Sequence, residues 1–136
     1  MGKFGNIRDL QTDKQMEQEG IDLNFGDGRI VTVARAGGSN RKYRVSLMKA
    51  HEPHKTALEH GSLDEDTAVN LLHTVFAESV VLGWQGWKDE DGNDLEYSVE
   101  NAIQLFREAP EIFSVIRDES EKFSNFARKE VEDSGN

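Results

Sequence analysis

The sequence contains no cysteine and only two prolines among its 136 residues. Without cysteine, neither a disulfide framework nor a thiolate metal site can form, which is typical of a protein from a reducing compartment. The first residues lack the apolar run of a signal peptide. The longest nearly uncharged stretch, Ser79 to Gln85, is far too short to cross a bilayer. We therefore expect a cytoplasmic protein with no membrane partner.

Basic residues are scarce in the middle of the chain. Residues 59–100 hold eleven acidic residues and a single basic one, Lys88, whereas residues 1–58 hold ten basic and seven acidic residues. The whole chain has a net charge of −10. Because phosphate backbones repel such a chain, we do not expect nucleic acid as a partner. The acidic block is typical of a solvated surface that keeps copies of the protein apart.

The length fits one domain, which we place at residues 1–136. The predicted parts are a weakly structured segment at 1–20, a β-hairpin at 21–36, a helical part at 40–128 and a polar tail at 129–136. Within the hairpin, apolar and polar residues alternate over residues 21–25, and an Asp-Gly turn follows. The fold class is therefore predicted to be α+β and mostly helical, with an N-terminal β-hairpin followed by a small bundle of about four helices.

Apolar residues recur at helical spacing outside the hairpin. The predicted helices are a weak one over residues 7–19, one from Asn40 to about His51, one from Ser62 to about Leu82, one after Ser98 and a last one from Pro110 to about Phe126. Ser62 and Glu65 predict a capping box at the start of the third helix. Glu52–Pro53 predicts a break in helical structure. Residues 84–97 predict a loop or a small hairpin around the turn at 91–93.

No motif indicates catalysis: GxSxG, P-loop and GxGxxG patterns are all missing. Residues 89–100 space oxygen ligands as an EF-hand does, but Asp94 occupies the position that requires glycine, which favours a turn with solvated acids. His51 and His54 flank Pro53, which prevents the helical geometry of a zinc site, so we expect all four histidines to be scattered on the surface. We expect no catalytic residue, no cofactor and no metal ion.

Two groups of side chains are candidates for contacts with other proteins. Aromatic residues usually complete a core, but they are also enriched at binding hot spots. The aromatic candidates are Trp84, Trp87, Tyr97, Phe106, Phe113, Phe123 and Phe126. The basic candidates, which could contact the acidic block of the same or a neighbouring copy, are Arg35, Arg41, Lys42 and Arg44.

Several short motifs follow one another in a characteristic order over residues 62–127. They are the helix end FAESVVL at 76–82, GWQGW at 83–87, an acidic Asp-Gly turn at 91–92, the Tyr97–Ser98 cap, the Glu-Asn-Ala helix at 100–102, and Pro110 with the later phenylalanines. In this order they resemble the tail assembly chaperones of long-tailed bacteriophages. The upstream segment 34–43 is similar to one branch of that family.

The resemblance implies a protein without enzymatic activity that acts in the host bacterial cytoplasm and is absent from the mature virion. Its implied partners are the tape-measure protein, which it keeps soluble, and the tail-tube protein, which it helps to recruit. Self-association into a homo-oligomer is a further hypothesis. Two alternatives remain open at this point: an acidic DNA mimic that inhibits a host nuclease or restriction system, and a structural tail or neck protein.

Overall fold

A computed structural model describes residues 2–129 of the chain. The strands are β1 (Ile21–Asn24), β2 (Ile30–Val33) and β3 (Val81–Gln85). The α-helices are α1 (Lys14–Glu19), α2 (Arg41–His51), α3 (Lys55–Glu59), α4 (Glu65–Ser79), α5 (Val99–Glu108), α6 (Pro110–Glu121) and α7 (Phe123–Phe126), with 3₁₀ turns at Arg8–Leu10 and Glu52–His54. The predicted α+β class, mostly helical, is confirmed. Except for Lys129, the predicted polar tail lies outside the described residues.

The predicted hairpin is confirmed in its strands and in its turn. Strands β1 and β2 pair in antiparallel register, with Leu23 opposite Val31. Asp27 and Gly28, at the turn, have φ angles of 54° and 79°. Positive φ at both central residues is what an Asp-Gly turn between twisted strands requires, since glycine adopts it without steric strain.

A third strand replaces the predicted end of the long helix. Helix α4 stops at Ser79, and the chain enters β3, which pairs antiparallel with β2 to give the sheet order β1-β2-β3. The prediction that the helix extends to Leu82 was wrong, because the run of apolar residues fits the periodicity of a helix and also that of a strand. The β-branched Val81 and the aromatic Trp84 favour an extended strand once β2 offers a hydrogen-bonding edge. Trp84 consequently lies in a strand and not in a loop.

The start of α4 also differs from the prediction. Asp64, and not Ser62, is the N-cap residue, and its carboxylate accepts a hydrogen bond from the Thr67 backbone N–H at 3.1 Å. Aspartate caps helices as well as serine does, so the two residues compete for this position. The Ser62 hydroxyl donates to the Ala57 carbonyl at 3.4 Å instead.

Two predicted helix boundaries move for identifiable reasons. Glu52 keeps helical angles (φ −54°, ψ −49°), and the chain continues through a 3₁₀ turn in which Pro53 takes an early position where its missing N–H is not needed. The last predicted helix is two helices, because Lys122 is extended (φ −75°, ψ 119°). Asn125 stabilises the break by donating to the Glu119 carbonyl at 2.9 Å.

The weak helix predicted over residues 7–19 is divided as well. A 3₁₀ turn at Arg8–Leu10 precedes α1, whose N-cap is Asp13. Between the two, Thr12 forms an isolated antiparallel bridge with Ala127. The N-terminal segment is therefore held against the end of α7 and is more structured than expected.

One hydrophobic core joins the inner face of the sheet to the four longer helices. Its fully buried residues include Val31, Val33, Phe76, Val80, Ala102, Phe106 and Ile116. Helix α2 packs on α4, α4 on α5, and α5 on α6. This arrangement is the predicted bundle of about four helices. No helix within residues 2–129 combines the length and the apolar character needed to cross a membrane.

Candidate functional site

A cleft with mainly apolar walls lies between α2 and α4. Val45 and Ala50 line it from α2, Pro53 from the turn that follows, Leu71 from α4 and Val99 from the start of α5. Its volume is about 720 Å³. Val45, at 38% exposure, is left partly in contact with solvent. The cleft is therefore apolar surface that the fold itself does not cover.

The walls of this cleft are fixed by the residue that begins α2. The Asn40 side chain caps the helix by accepting from the Tyr43 backbone N–H at 3.1 Å. Its amide nitrogen also donates to the Arg35 carbonyl at 2.8 Å and to the Ser79 carbonyl at 2.9 Å. One turn into α2, the Tyr43 ring packs edge-on against Phe76 with centroids 5.8 Å apart. These contacts hold α2 at a defined position relative to α4.

Charge is distributed unequally on the two sides of the cleft. Lys42 and Lys49 line it from α2, and both are exposed. Helix α2 contains no acidic residue. On the α4 side the cleft is lined by Glu78, whose carboxylate accepts a hydrogen bond from the Ser46 hydroxyl at 3.2 Å. The side of the cleft formed by α2 is therefore basic, although the chain as a whole is acidic.

Three of the predicted contact phenylalanines do not reach the surface. Phe106, Phe113 and Phe126 are 1%, 7% and 0% exposed. They are core residues in this fold and cannot contact a partner directly, because the helix faces that carry them pack inward. Phe123 is 39% exposed and is the most exposed of the three phenylalanines in α6 and α7.

The other aromatic candidates attach the loop after β3 to the sheet. Trp84 and Tyr97 pack edge to face, with ring centroids 5.2 Å apart. The Trp84 indole donates to the Leu95 carbonyl at 2.8 Å, and the Trp87 indole donates to the Ile30 carbonyl at 3.2 Å. Burial raises the pKa of Tyr97 to about 12. All three rings are half-buried, and their polar atoms are used within the chain.

The basic candidates fall into two groups. The Arg35 guanidinium pairs with the buried Glu17 carboxylate at 2.6 Å, and Arg44 donates to the Gly38 carbonyl at 2.7 Å. Arg41 and Lys42 are exposed. Arg35 therefore serves the fold of its own chain, whereas Arg41 and Lys42 remain accessible to another molecule.

Glu17 is the buried ionised residue that the sequence did not reveal. Burial alone raises its pKa, but hydrogen bonds from Ser39 and Arg35 outweigh that effect and lower the pKa to about 2. The Ser39 hydroxyl donates to it at 2.7 Å. A Cβ atom on Gly38 would collide with this carboxylate. The Gly-Gly pair before Ser39 was therefore the feature of the sequence that could have indicated a close contact at this point. The cluster joins α1 to the segment between β2 and α2.

His73 was expected on the surface, and that expectation was wrong. It is 5% exposed and lies between two rings, 4.6 Å from Phe113 and 5.6 Å from Phe106. Its position on the inner face of α4 explains the burial. Burial, with a smaller contribution from Arg107, lowers the pKa of His73. Within residues 2–129, its Nδ1 atom has no hydrogen-bond partner.

The acidic turn after β3 is closed by its own hydrogen bonds. One Asp89 carboxylate oxygen accepts from the backbone N–H groups of Asp91 and Asn93, each at 2.9 Å. Lys88 pairs with Asp94 across the turn. In the part of the chain that the structure describes, no group of three or more His, Cys, Asp or Glu residues is arranged to hold a metal ion. The segment has the form of a turn whose acidic side chains are exposed to solvent.

A protein-family model described as YdaY prophage protein matches residues 38–136. The chain belongs to the YdaY prophage protein family. It is therefore a phage-derived protein, as the order of its motifs indicated. No curated protein and no solved structure matches the chain. The region shared with the YdaY family contains both walls of the cleft, since α2 and α4 lie inside it, whereas β1 and β2 precede it.

Proposed function

We propose that this member of the YdaY family is a tail assembly chaperone that binds the phage tape-measure protein. The observation that supports this proposal best is the uncovered apolar cleft between α2 and α4. The phage origin and the motif order of residues 62–127 point the same way. Under this proposal the protein acts in the host cytoplasm, helps to recruit tail-tube subunits and is absent from the mature virion.

The cleft suits a helical client. A long helical protein that has not yet assembled exposes apolar stripes, and such surfaces cause aggregation unless a partner covers them. An amphipathic helix places its apolar face in a groove through residues one turn apart. Along α2 the cleft is lined from Lys42 to Ala50, which is about 12 Å at about 1.5 Å per helical residue. It can therefore cover about two turns of a client helix.

The proposal is tested by co-expression with the tape-measure protein of the same phage. We expect the wild-type chain to keep the client soluble and to co-purify with it. Val45→Glu, which places a charge in the cleft, should abolish most of this capture. Val115→Glu is the matched control, because Val115 on α6 is similarly exposed (42% against 38%) but does not line the cleft. A client that stays insoluble and unbound beside the wild-type chain contradicts the proposal.

Analysis of purified virions distinguishes the chaperone from a structural tail or neck protein. A chaperone acts during assembly and is then released, so mass spectrometry of mature particles should not detect it. If the protein is present in stoichiometric amounts in those particles, it is a component of the tail and the proposal is wrong.

A further inference from the structure

We propose that the cleft selects its client helix by charge as well as by apolar contact. The fitting partner is an amphipathic helix with acidic residues seven positions apart along the edge that faces Lys42 and Lys49. This inference rests on the proposed function in one respect, since it takes the helix to belong to the client. It adds the chemistry by which that helix is recognised.

The charge of α2 is opposite to that of the chain as a whole. Helix α2 carries four Lys and Arg residues and no acid, in a chain whose net charge is −10. Lys42 and Lys49 line the cleft, and within residues 2–129 neither is part of a salt bridge. Arg41 and Arg44 do not line the cleft. Arg44 lies toward the opposite face of α2 and Arg41 about 100° from Lys42, since successive residues rotate by about 100° around a helix. Two cations are thus available to a molecule in the cleft.

Lys42 and Lys49 are spaced so that both lie along the same side of α2. Seven residues advance a helix by about 10 Å and return nearly to the same side. Val45 lies on the cleft between the two lysines, and Leu71 faces it from α4. A helix lying along α2 would therefore meet a basic site, an apolar patch and a second basic site in sequence. Acidic residues at positions i and i+7, beside an apolar stripe, match this pattern.

The α2 side and the α4 side of the cleft carry opposite charges. Glu78 on α4 has the opposite charge to the lysines and already accepts a hydrogen bond from Ser46. An acidic edge facing α4 would be repelled by Glu78, whereas the same edge facing α2 would be attracted. The charges therefore favour one orientation of the acidic edge, and they disfavour a helix with basic edges on the α2 side.

The test uses two synthetic helical peptides of about 18 residues, which is long enough to span the cleft. Both have the same leucine stripe; one carries Glu at i and i+7 on its flank, and the other carries Lys. Binding to the full-length protein is measured by calorimetry at low salt and at about 0.5 M salt. We expect the Glu peptide to bind about tenfold more tightly at low salt, from two exposed ion pairs and the repulsion that the Lys peptide meets. The preference should shrink at high salt.

Two double variants locate the effect. Lys42→Glu with Lys49→Glu should reverse the preference, so that the Lys peptide binds more tightly. Arg41→Glu with Arg44→Glu changes the charge of α2 by the same amount at positions that do not line the cleft, and it should retain the preference for the Glu peptide. Circular dichroism checks that each variant keeps its helix content.

The outcomes separate this inference from the proposed function. If wild-type protein captures the tape-measure protein but binds both peptides equally, or binds neither, charge selection at the cleft is wrong and the chaperone proposal stands. If the Glu peptide binds selectively but the tape-measure protein is not captured, the cleft chemistry is right and the proposed function is wrong. An equal loss of preference in both double variants would also contradict the assignment to Lys42 and Lys49.

Discussion

At the scale of single residues, the most consequential group is the carboxylate of Glu17. It is 1% exposed and is paired with Arg35, whose guanidinium also lies 6.0 Å from the centre of the Phe126 ring. Its bonds to Ser39 connect α1 with the start of the region that the YdaY family shares. A buried ion pair need not add stability, but the loss of one partner leaves the other charge buried without compensation.

The prediction for this pair concerns the free energy of unfolding. Glu17→Gln should lower it by about 3 kcal/mol, because Arg35 then lacks its counter-charge. Glu19→Gln, on the exposed side of the same helix, is the control and should change it by less than about 0.5 kcal/mol. Urea denaturation at pH 7 measures both values. Equal effects of the two substitutions would show that the pair does not contribute as described.

His73 predicts a dependence of stability on pH. Burial lowers its pKa in the folded chain below the usual 6.5, so the unfolded chain binds a proton more readily. The stability that this residue contributes is complete above about pH 6.5 and falls as the pH decreases below that value. The slope attributable to one proton is at most about 1.4 kcal/mol per pH unit.

Unfolding experiments between pH 7 and pH 5 test this prediction. His73→Leu removes the titrating group and keeps an apolar side chain between Phe106 and Phe113, so stability should become less dependent on pH over this interval. His60→Asn alters an exposed histidine and should leave the wild-type dependence unchanged. A His73→Leu curve parallel to that of the wild type would contradict the assignment.

Glu17 adds a second pH effect at lower values. Its pKa is about 2 in the folded chain, against an ordinary value of 4.5. The carboxylate therefore contributes fully above about pH 4.5, and its contribution is lost as the pH falls toward 2. Acid denaturation of the wild type should reflect this loss, and Glu17→Gln should remove it.

At the scale of secondary-structure elements, the sequence predicted the helix ends that are determined by a capping residue or a proline. Asn40 and Ser98 cap α2 and α5, and Pro110 begins α6, as their residue types indicate. Strand β3 could not be predicted in this way. Its apolar residues fit a helix equally well, and the decision depends on hydrogen bonding to β2, which lies about fifty residues earlier in the chain.

The candidate site shows the same limit. The sequence identified aromatic residues, but it did not show which of them the core would bury. The cleft depends on the relative placement of α2 and α4, for which the individual lining residues, such as Val45 and Leu71, carry no local signal. The position of Lys42 beside an apolar groove emerges only after the two helices pack.

The link between the helix cap and the cleft gives a prediction at this scale. Asn40→Ala should lower the free energy of unfolding by about 2 kcal/mol, because it removes the cap of α2 and leaves the carbonyls of Arg35 and Ser79 without their donor. Ser98→Ala removes only a cap and should cost about 1 kcal/mol. Thermal or urea unfolding compares them. A smaller effect at Asn40 than at Ser98 would show that the two carbonyl contacts are not important.

At the scale of the whole molecule, one core uses many of the large apolar side chains of the longer helices, and the cleft is one place where apolar surface stays uncovered. Met48, Val69 and Val115 on these helices are exposed outside it. The eleven acidic side chains of residues 59–100 are exposed and form a strongly acidic surface, which repels other copies of the chain. Self-association through exposed cations such as Arg41 stays a prediction. Because salt screens exposed ion pairs, we expect an oligomer at low salt that dissociates as salt is added.

Site-specific cross-linking tests whether the α2–α4 cleft binds the tape-measure protein, as we propose. A photoreactive amino acid is placed at position 45, in the cleft, or at position 115, on α6, and each variant is co-expressed with the tape-measure protein. If the client helix lies in the cleft, we expect a covalent product with the tape-measure protein from position 45 and none from position 115. A product from position 115 alone, or from neither position while the client remains soluble, would contradict it.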